Sequence, residues 1–235
     1  MTDKTNSKFP SEAEVVIVGV GGIVGSMLAY WLTELGQKNI VGLEKSTIIP
    51  SDIASTAHAS DFVYNTTHDK LGCWTTAFSR KFYEDNGFFL KKGGLEICRK
   101  DDDERWEELK RKVGSGKAFG TNVRLISASE AKEKFPLLEE ESIRGAMWDP
   151  DAGLVTPRSQ DVVSFAVESA KEKGALTTFT DTPALDFEIE NGHITAVKTD
   201  KGIIKTKKVV IASGIWGPLM GDMAGVGVPL MPVEH

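Results

Sequence analysis

The chain of 235 residues has no apolar run of membrane-spanning length. A helix crossing a bilayer needs about 20 consecutive apolar residues, so no membrane span is expected. Cysteine is scarce: Cys73 and Cys98 lie far apart and form no C-x-x-C pattern. That usage does not describe a small secreted fold held by disulfides. Histidine is scarce too, at four, and no His/Cys spacing matches a metal site. There is no block of Lys and Arg, and the formal net charge is −6. Neither nucleic acid nor an acidic membrane surface is expected as the main partner. The acidic runs at 101–104 and 139–141 read as solvated faces near helix ends. The first residues lack the apolar core of a signal peptide and the Arg-rich pattern of a transit peptide. The expectation is therefore a reduced, cytoplasmic protein.

What is present is enough apolar residue, 40%, to bury a sizeable core in one large or two small domains. The run AEVVIVG is continuous and apolar and ends on glycine, as a strand buried on both faces does. Helical spacing of Met27, Leu28, Trp31, Leu32 and Leu35 follows, with Gly36 as a stop. NIVGLEK then reads as a second buried strand ending on Glu44. This is a βαβ unit with a glycine turn at Gly21, Gly22 and Gly25. Absent side chains at a helix N-terminus let a pyrophosphate approach backbone N–H groups, and an acid ending the second strand can accept from ribose hydroxyls. The competing reading is an ordinary βαβ packing unit. The register is irregular. Aligning G-x-G-x-x-G on Gly25 puts Gly22 in the middle and Val20 first, as if the turn held one extra residue.

Residues 46–67 read as loop, 71–87 as helix, and FFLKKGGLEICRK as strand around Gly93-Gly94. A helix follows in DDERWEELKRKVGS. Ser127 and Glu130 have capping-box spacing before Pro136. TPRSQDVVSFAVESAKEKG predicts a helix with Thr156 as N-cap, Pro157 at the first position and Gly174 past the end. The remainder reads as β, with hairpin turns at Asn191-Gly192 and Lys201-Gly202 and a buried strand in KKVVIASG. A simple NAD domain would continue with further β-α repeats; this order resembles that of the FAD-binding half of two-domain flavoproteins.

The stretches VVIVGVGGIVG, STAHA, KKGGLEI and VVIASGIW, supported by LISASEAKEKFPLL and PDAGLVTPRS, span nearly the whole chain. Together they resemble the N-terminal flavin part of the dimethylglycine dehydrogenase/sarcosine dehydrogenase family, within the D-amino-acid-oxidase-like flavoproteins. The resemblance implies an α/β fold: a Rossmann-like FAD-binding βαβ domain with a β-meander, plus part of an α+β substrate domain. On it, 1–80 and 150–225 form the FAD-binding domain. Residues 81–149 and 226–235 form a partial substrate domain, truncated at the C-terminus.

It also implies FAD attached covalently through His58, with Ser55, Thr56 and Ala57 as small neighbours along which the flavin ring lies. Ile23 and Val24 would meet the nucleotide through backbone. Glu44 and Lys45 would sit at the adenosine end, Phe62 would touch the cofactor, Ala184 would meet adenine, and Gly214 would lie near the pyrophosphate. His235 matches a histidine on the substrate side and is the candidate base; the alternative for it is a terminal residue in solvent. The family often has glycine where this chain has Asp61.

The implied reaction is oxidation of an N-methylated glycine, dimethylglycine or sarcosine, to an iminium. The electron acceptor would be oxygen or an electron-transfer flavoprotein. Folate would take part only through a further C-terminal region. The rivals are another oxidoreductase of the wider family and a non-catalytic relative that kept the architecture and lost the chemistry.

Overall fold

The computed structural model describes residues 9–233. Along the chain the elements are β1 (Val15–Val18), α1 (Ile23–Glu34) and β2 (Ile40–Leu43). Then come β3 (Phe62–Val63), α2 (Lys70–Asp85), β4 (Phe89–Lys91), β5 (Gly94–Arg99) and α3 (Asp103–Ala118). They are followed by β6 (Arg124–Ser127), α4 (Ala128–Lys134), β7 (Ile143–Asp149), β8 (Gly153–Val155) and α5 (Ser159–Glu172). The last are β9 (Leu176–Phe179), β10 (Ala184–Glu190), β11 (His193–Thr199), β12 (Gly202–Lys205), β13 (Val209–Ile211) and α6 (Gly217–Met223). The chain divides into unit 1, residues 1–59 and 159–235, and unit 2, residues 60–158.

Unit 1 is built on a parallel sheet of order β13-β1-β2-β9. Successive strand residues point to opposite faces, so the continuous apolar run of β1 feeds two cores. Val15 and Ile17 pack with Val163, Val167 and Ala170 of α5 and with Ala29 of α1. Val16 and Val18 pack with Phe187, Val197 and Ile204 of an antiparallel meander, β10-β11-β12. The result is the mixed α/β fold expected, a Rossmann-like parallel sheet carrying a β-meander. Asn191 (φ 52°) and Gly192 (φ 76°) both take the left-handed backbone that a tight hairpin between β10 and β11 requires. The strand in KKVVIASG forms as β13, but at the sheet edge, and it is half-buried rather than buried.

Unit 2 holds two small antiparallel sheets, β3-β8-β4 and β5-β7-β6. The KKGGLEI stretch carries the chain from one sheet to the other: β4 pairs with β8 and β5 with β7. Ser127 and Glu130 close the expected capping box on α4.

One helix start is corrected. Thr156 is not an N-cap, because its N–H donates to the Phe88 carbonyl at 2.9 Å and so continues the ladder of β8 on β4. The helix begins at Ser159. Residues 46–67 are not all loop: they contain a 3-10 turn, Ser55–His58, and β3. No helix among the described residues is long and apolar enough to cross a membrane.

Candidate active site

All four strands of the unit 1 sheet run the same way, so their carboxyl ends share one edge. The chain leaves β1 for β2 on one side and returns much later to β13 on the other. The strand order reverses at β1, and in open α/β sheets ligands bind outside the carboxyl ends at such a reversal. The glycine turn sits there.

The irregular register has a physical answer. Gly19, not Val20, makes the first close backbone approach of the turn. It has φ +94°, and a Cβ on it would lie 2.5 Å from the Ala212 carbonyl oxygen at the end of β13. Val20 is fully buried and packs over Gly42 of β2. Gly21 passes so close to β2 that a Cβ there would meet Glu44 Oε2 at 2.5 Å. A Cβ on Gly25 would run into the Gly19 carbonyl oxygen, which lets α1 start hard against the strand. The positions at which the turn has no room for a side chain are therefore 19, 21 and 25, and Gly22 is the extra residue. Gly22 is the cap of α1 and offers no side-chain bond to it. A Cβ at that position would have nothing closer than Thr56 Oγ1 at 3.7 Å, so the helix mouth is open there.

Glu44 is buried. Its Oε2 accepts the Gly21 N–H at 2.9 Å and its Oε1 accepts the Ser46 N–H at 2.9 Å. The carboxylate thus fixes the turn itself, and each oxygen keeps a lone pair for a further donor such as a ribose hydroxyl. The STAHA stretch forms the 3-10 turn Ser55–His58. Thr56 is buried, and its Oγ1 accepts the Ile23 N–H at 3.0 Å. One of the orphan donors of α1 is satisfied by a side chain 33 residues away. Ile23 N–H is thereby committed. Those of Val24 and Gly25 have no acceptor within the helix. Two residues after Thr56, His58 is exposed, close in sequence to that anchor.

Lys45 is exposed, and its Nζ stands 3.9 Å from the centroid of the Trp216 ring, just beyond Gly214. Gly214 has φ 55° with open space about it. Ala184 starts β10 and is buried in the core beneath the meander. Three residues of this edge escaped the sequence reading: Ser51, Ser213 and Trp216. The Ser51 N–H donates to the Gly21 carbonyl at 3.0 Å. The buried hydroxyls of Ser51 and Ser213 have no hydrogen-bond partner among the described residues. A small polar residue just past a strand end is the signal that could have pointed to Ser213, and an aromatic in the following turn the one that could have pointed to Trp216.

Phe62 and Asp61 belong to unit 2. The Phe62 ring packs over Gly94, where a Cβ would meet it at 2.5 Å. Asp61 has φ 61°, a left-handed conformation in which glycine is the easiest residue and Asp among the next. Its carboxylate is paired with Arg158 and its carbonyl accepts the Val155 N–H at 2.7 Å. His235 lies outside the described residues.

Residues 14–235 match the model of the FAD dependent oxidoreductase family. The chain belongs to that family. It is 28% identical to human (Homo sapiens) mitochondrial sarcosine dehydrogenase over 97% of its own length and 25% of that protein's. It is 30% identical to the mitochondrial pyruvate dehydrogenase phosphatase regulatory subunit of Mus musculus over 97% of its length and 26% of the relative's. The chain thus spans about a quarter of these curated relatives. Among solved structures, L-proline dehydrogenase from P. horikoshii superposes with a TM-score of 0.82 at 33% identity, covering 93% of this chain and 57% of that one.

The unit 1 edge suits the dinucleotide that the family name implies. An open helix mouth with N–H groups that lack an acceptor in the helix is suited to an anionic diphosphate, a buried carboxylate keeps lone pairs for hydroxyl donors, and serine hydroxyls without a partner among the described residues flank the turn.

Proposed function

We propose that this chain is the flavin-holding part of an FAD-dependent amine oxidoreductase that oxidises N-methylated glycines, with His58 as a covalent tether. In this reading unit 1 holds FAD and unit 2 is a portion of a substrate domain. FAD would supply the two-electron acceptor for oxidation of an amine N–CH bond, and oxygen or an electron-transfer flavoprotein would reoxidise it. The chain's own residues bind and orient. The N–H groups of Val24 and Gly25 face the diphosphate, Glu44 takes ribose hydroxyls, and Lys45 stands at the adenosine end.

The observation that carries the tether is the Thr56 Oγ1 to Ile23 N–H bond. It fixes the turn bearing His58 to the N-terminus of the nucleotide helix. An exposed imidazole among small residues is then held near the cofactor instead of wandering in a loop. The name of the sarcosine dehydrogenase relative supports the substrate class. A second, non-catalytic reading is favoured by the similarity to a phosphatase regulatory subunit.

One experiment separates these readings. Protein expressed with FAD available is precipitated with acid, washed and run on a denaturing gel beside His58→Ala. The expected result is a flavin-fluorescent band that the variant loses, at unchanged stability because His58 is exposed. A dark band with flavin in the supernatant would remove the tether and keep the FAD reading. A dark band with a colourless supernatant would overturn both and leave the regulatory reading.

A further inference from the structure

In unit 2, α2 buries Cys73 and Phe82, and Asp69 caps it by accepting the Gly72 N–H at 2.7 Å. Its outer side keeps large apolar groups in solvent: Leu71 is 69% exposed, Trp74 62% and Phe78 48%. Among the described residues no other helix leaves three large apolar side chains exposed. Spacings of three and four put them on one stripe, which Lys81 and Asp85 continue. The rings of Trp74 and Phe78 stack, with centroids 5.7 Å apart and planes 26° from parallel. A contiguous apolar stripe rimmed by charge is the mark of a protein–protein contact.

The charges of the helix point to what covers it. A helix favours acids in its first turn and bases in its last. The order in α2 is the reverse: the first turn holds Lys70 and no acid, and the last holds Glu84 and Asp85 and no base. The pairs Arg80–Glu84 and Lys81–Asp85 also run base before acid, the weaker order along a helix. A charge order that is unfavourable within one helix is complementary to an antiparallel copy, whose acidic end then lies beside Lys70. The spacing agrees. Lys70, Ala77 and Glu84 recur every seven residues along one flank of the stripe. When Trp74 of one copy meets Phe78 of the other, Ala77 meets Ala77 and lets the helices approach closely. The same register brings Lys70 to Glu84 of the other copy and lays the apolar stem of Lys81 over Leu71.

We propose that two copies of this chain associate through α2, antiparallel about a two-fold axis near Ala77. Four rings, Trp74 and Phe78 of each copy, form the centre, and two Lys70–Glu84 pairs form the rim. The contact is isologous, so it closes at a dimer. Leu71, Trp74 and Phe78 offer roughly 300–400 Å² of apolar surface per copy, about half of the ~800 Å² per partner in a standard interface. Association is therefore weak and concentration-dependent, with Kd on the order of 10–100 µM. The contact uses unit 2 alone and does not depend on the flavin.

The test is sedimentation of the full chain without flavin, from about 1 to 300 µM, a range that spans the Kd of a weak dimer. The mass is expected to rise from 25.6 kDa towards twice that value. Trp74→Ala should weaken association about tenfold or more, as loss of a central aromatic does. Lys70→Glu and Glu84→Lys should each weaken it about threefold or more, and the double variant Lys70→Glu/Glu84→Lys should restore it, because the charges exchange places. Leu35→Ala, at an 83% exposed position just past α1, should change nothing. Every substituted residue is exposed, so urea midpoints should stay at the wild-type value and keep misfolding apart from lost pairing. A mass that stays at the monomer value throughout would overturn the proposal and leave the stripe to a different protein. So would association that survives Trp74→Ala or falls with Leu35→Ala. Single charge variants without effect, or a double variant that does not recover, would overturn the antiparallel pairing on which it rests.

Discussion

Glu44 in unit 1 and Asp149 in unit 2 are both buried carboxylates that accept backbone N–H groups. Glu44 takes those of Gly21 and Ser46. Asp149 takes those of Asn65 and Asp151, at 3.0 and 3.1 Å, and the Thr66 hydroxyl at 3.1 Å. The device is the same: an acceptor-only side chain satisfies donors that the ladder cannot reach. What surrounds it differs. Around Glu44 the neighbours are glycines at the open mouth of α1, so the staple shapes a surface that a ligand can meet. Around Asp149 the neighbours are the loop after β3 and the end of β7, so the staple ties one segment of unit 2 to another. A buried carboxylate alone therefore does not mark a site. The absence of side chains beside it does.

The sharpest way to break that contrast is through glycine. Gly25→Ala in unit 1 puts a methyl against the Gly19 carbonyl oxygen, a backbone atom that cannot turn aside. We expect a loss of about 3 kcal/mol or more in urea unfolding, above the usual range for overpacking, with flavin retention lost as well. Gly94→Ala in unit 2 meets the ring of Phe62, a side chain that is 42% exposed and has room to swing. Its expected cost is about 1 kcal/mol. Equal losses at the two positions would show that the unit 1 turn is no tighter than an ordinary strand crossing.

Exchanging each carboxylate for its amide sharpens the comparison further. Glu44→Gln and Asp149→Asn each turn an oxygen into an NH2 that faces an N–H donor. Each should lose about 1–3 kcal/mol through a buried donor left unpaired. The stability losses should match, but the flavin result should not: only Glu44→Gln should lower the flavin retained after purification. A matching loss in Asp149→Asn would mean that general destabilisation, and not the turn, controls retention.

The same contrast explains what could be read from the sequence. β1, α1 and β2 were legible because burial on both faces of a strand and on one face of a helix leaves a local pattern. The hairpin at Asn191-Gly192 and the capping box at Ser127 were legible because their chemistry lies within four residues. β6, β7 and β8 were not anticipated. Their partners are distant: Glu96 of β5 pairs with Met147 of β7, and Leu90 of β4 with Leu154 of β8. Short antiparallel strands stabilised by remote pairing carry little local signal. In the glycine turn, Gly21, Gly25 and Glu44 were singled out by spacing, whereas the close approach at Gly19 depends on the carbonyl of Ala212 and leaves no local pattern. Thr56 was named, but its bond to Ile23 joins residues 33 apart and no pattern announces it.

The smallest effect belongs to the exposed electrostatics of unit 2. Lys91 Nζ donates to Asp151 Oδ1 at 2.6 Å, and this bond holds the Asp151 carboxyl below the usual carboxylate range, with Asn122 adding to it. The folded pKa therefore lies under the unfolded one, about 3.9. Near that pH the unfolded chain binds more protons. The stabilisation is then fully present above the unfolded value and lost as pH falls through the folded one. Asp151→Asn should cost under about 1 kcal/mol at neutral pH, since Lys91 is largely exposed. Unfolding free energies of wild type and variant, measured from about pH 7 down to 3, should converge at the acid end. A gap that stays constant with pH would mean that Asp151 acts through shape, as Asp149 does, and that unit 2 relies on backbone staples even at its surface.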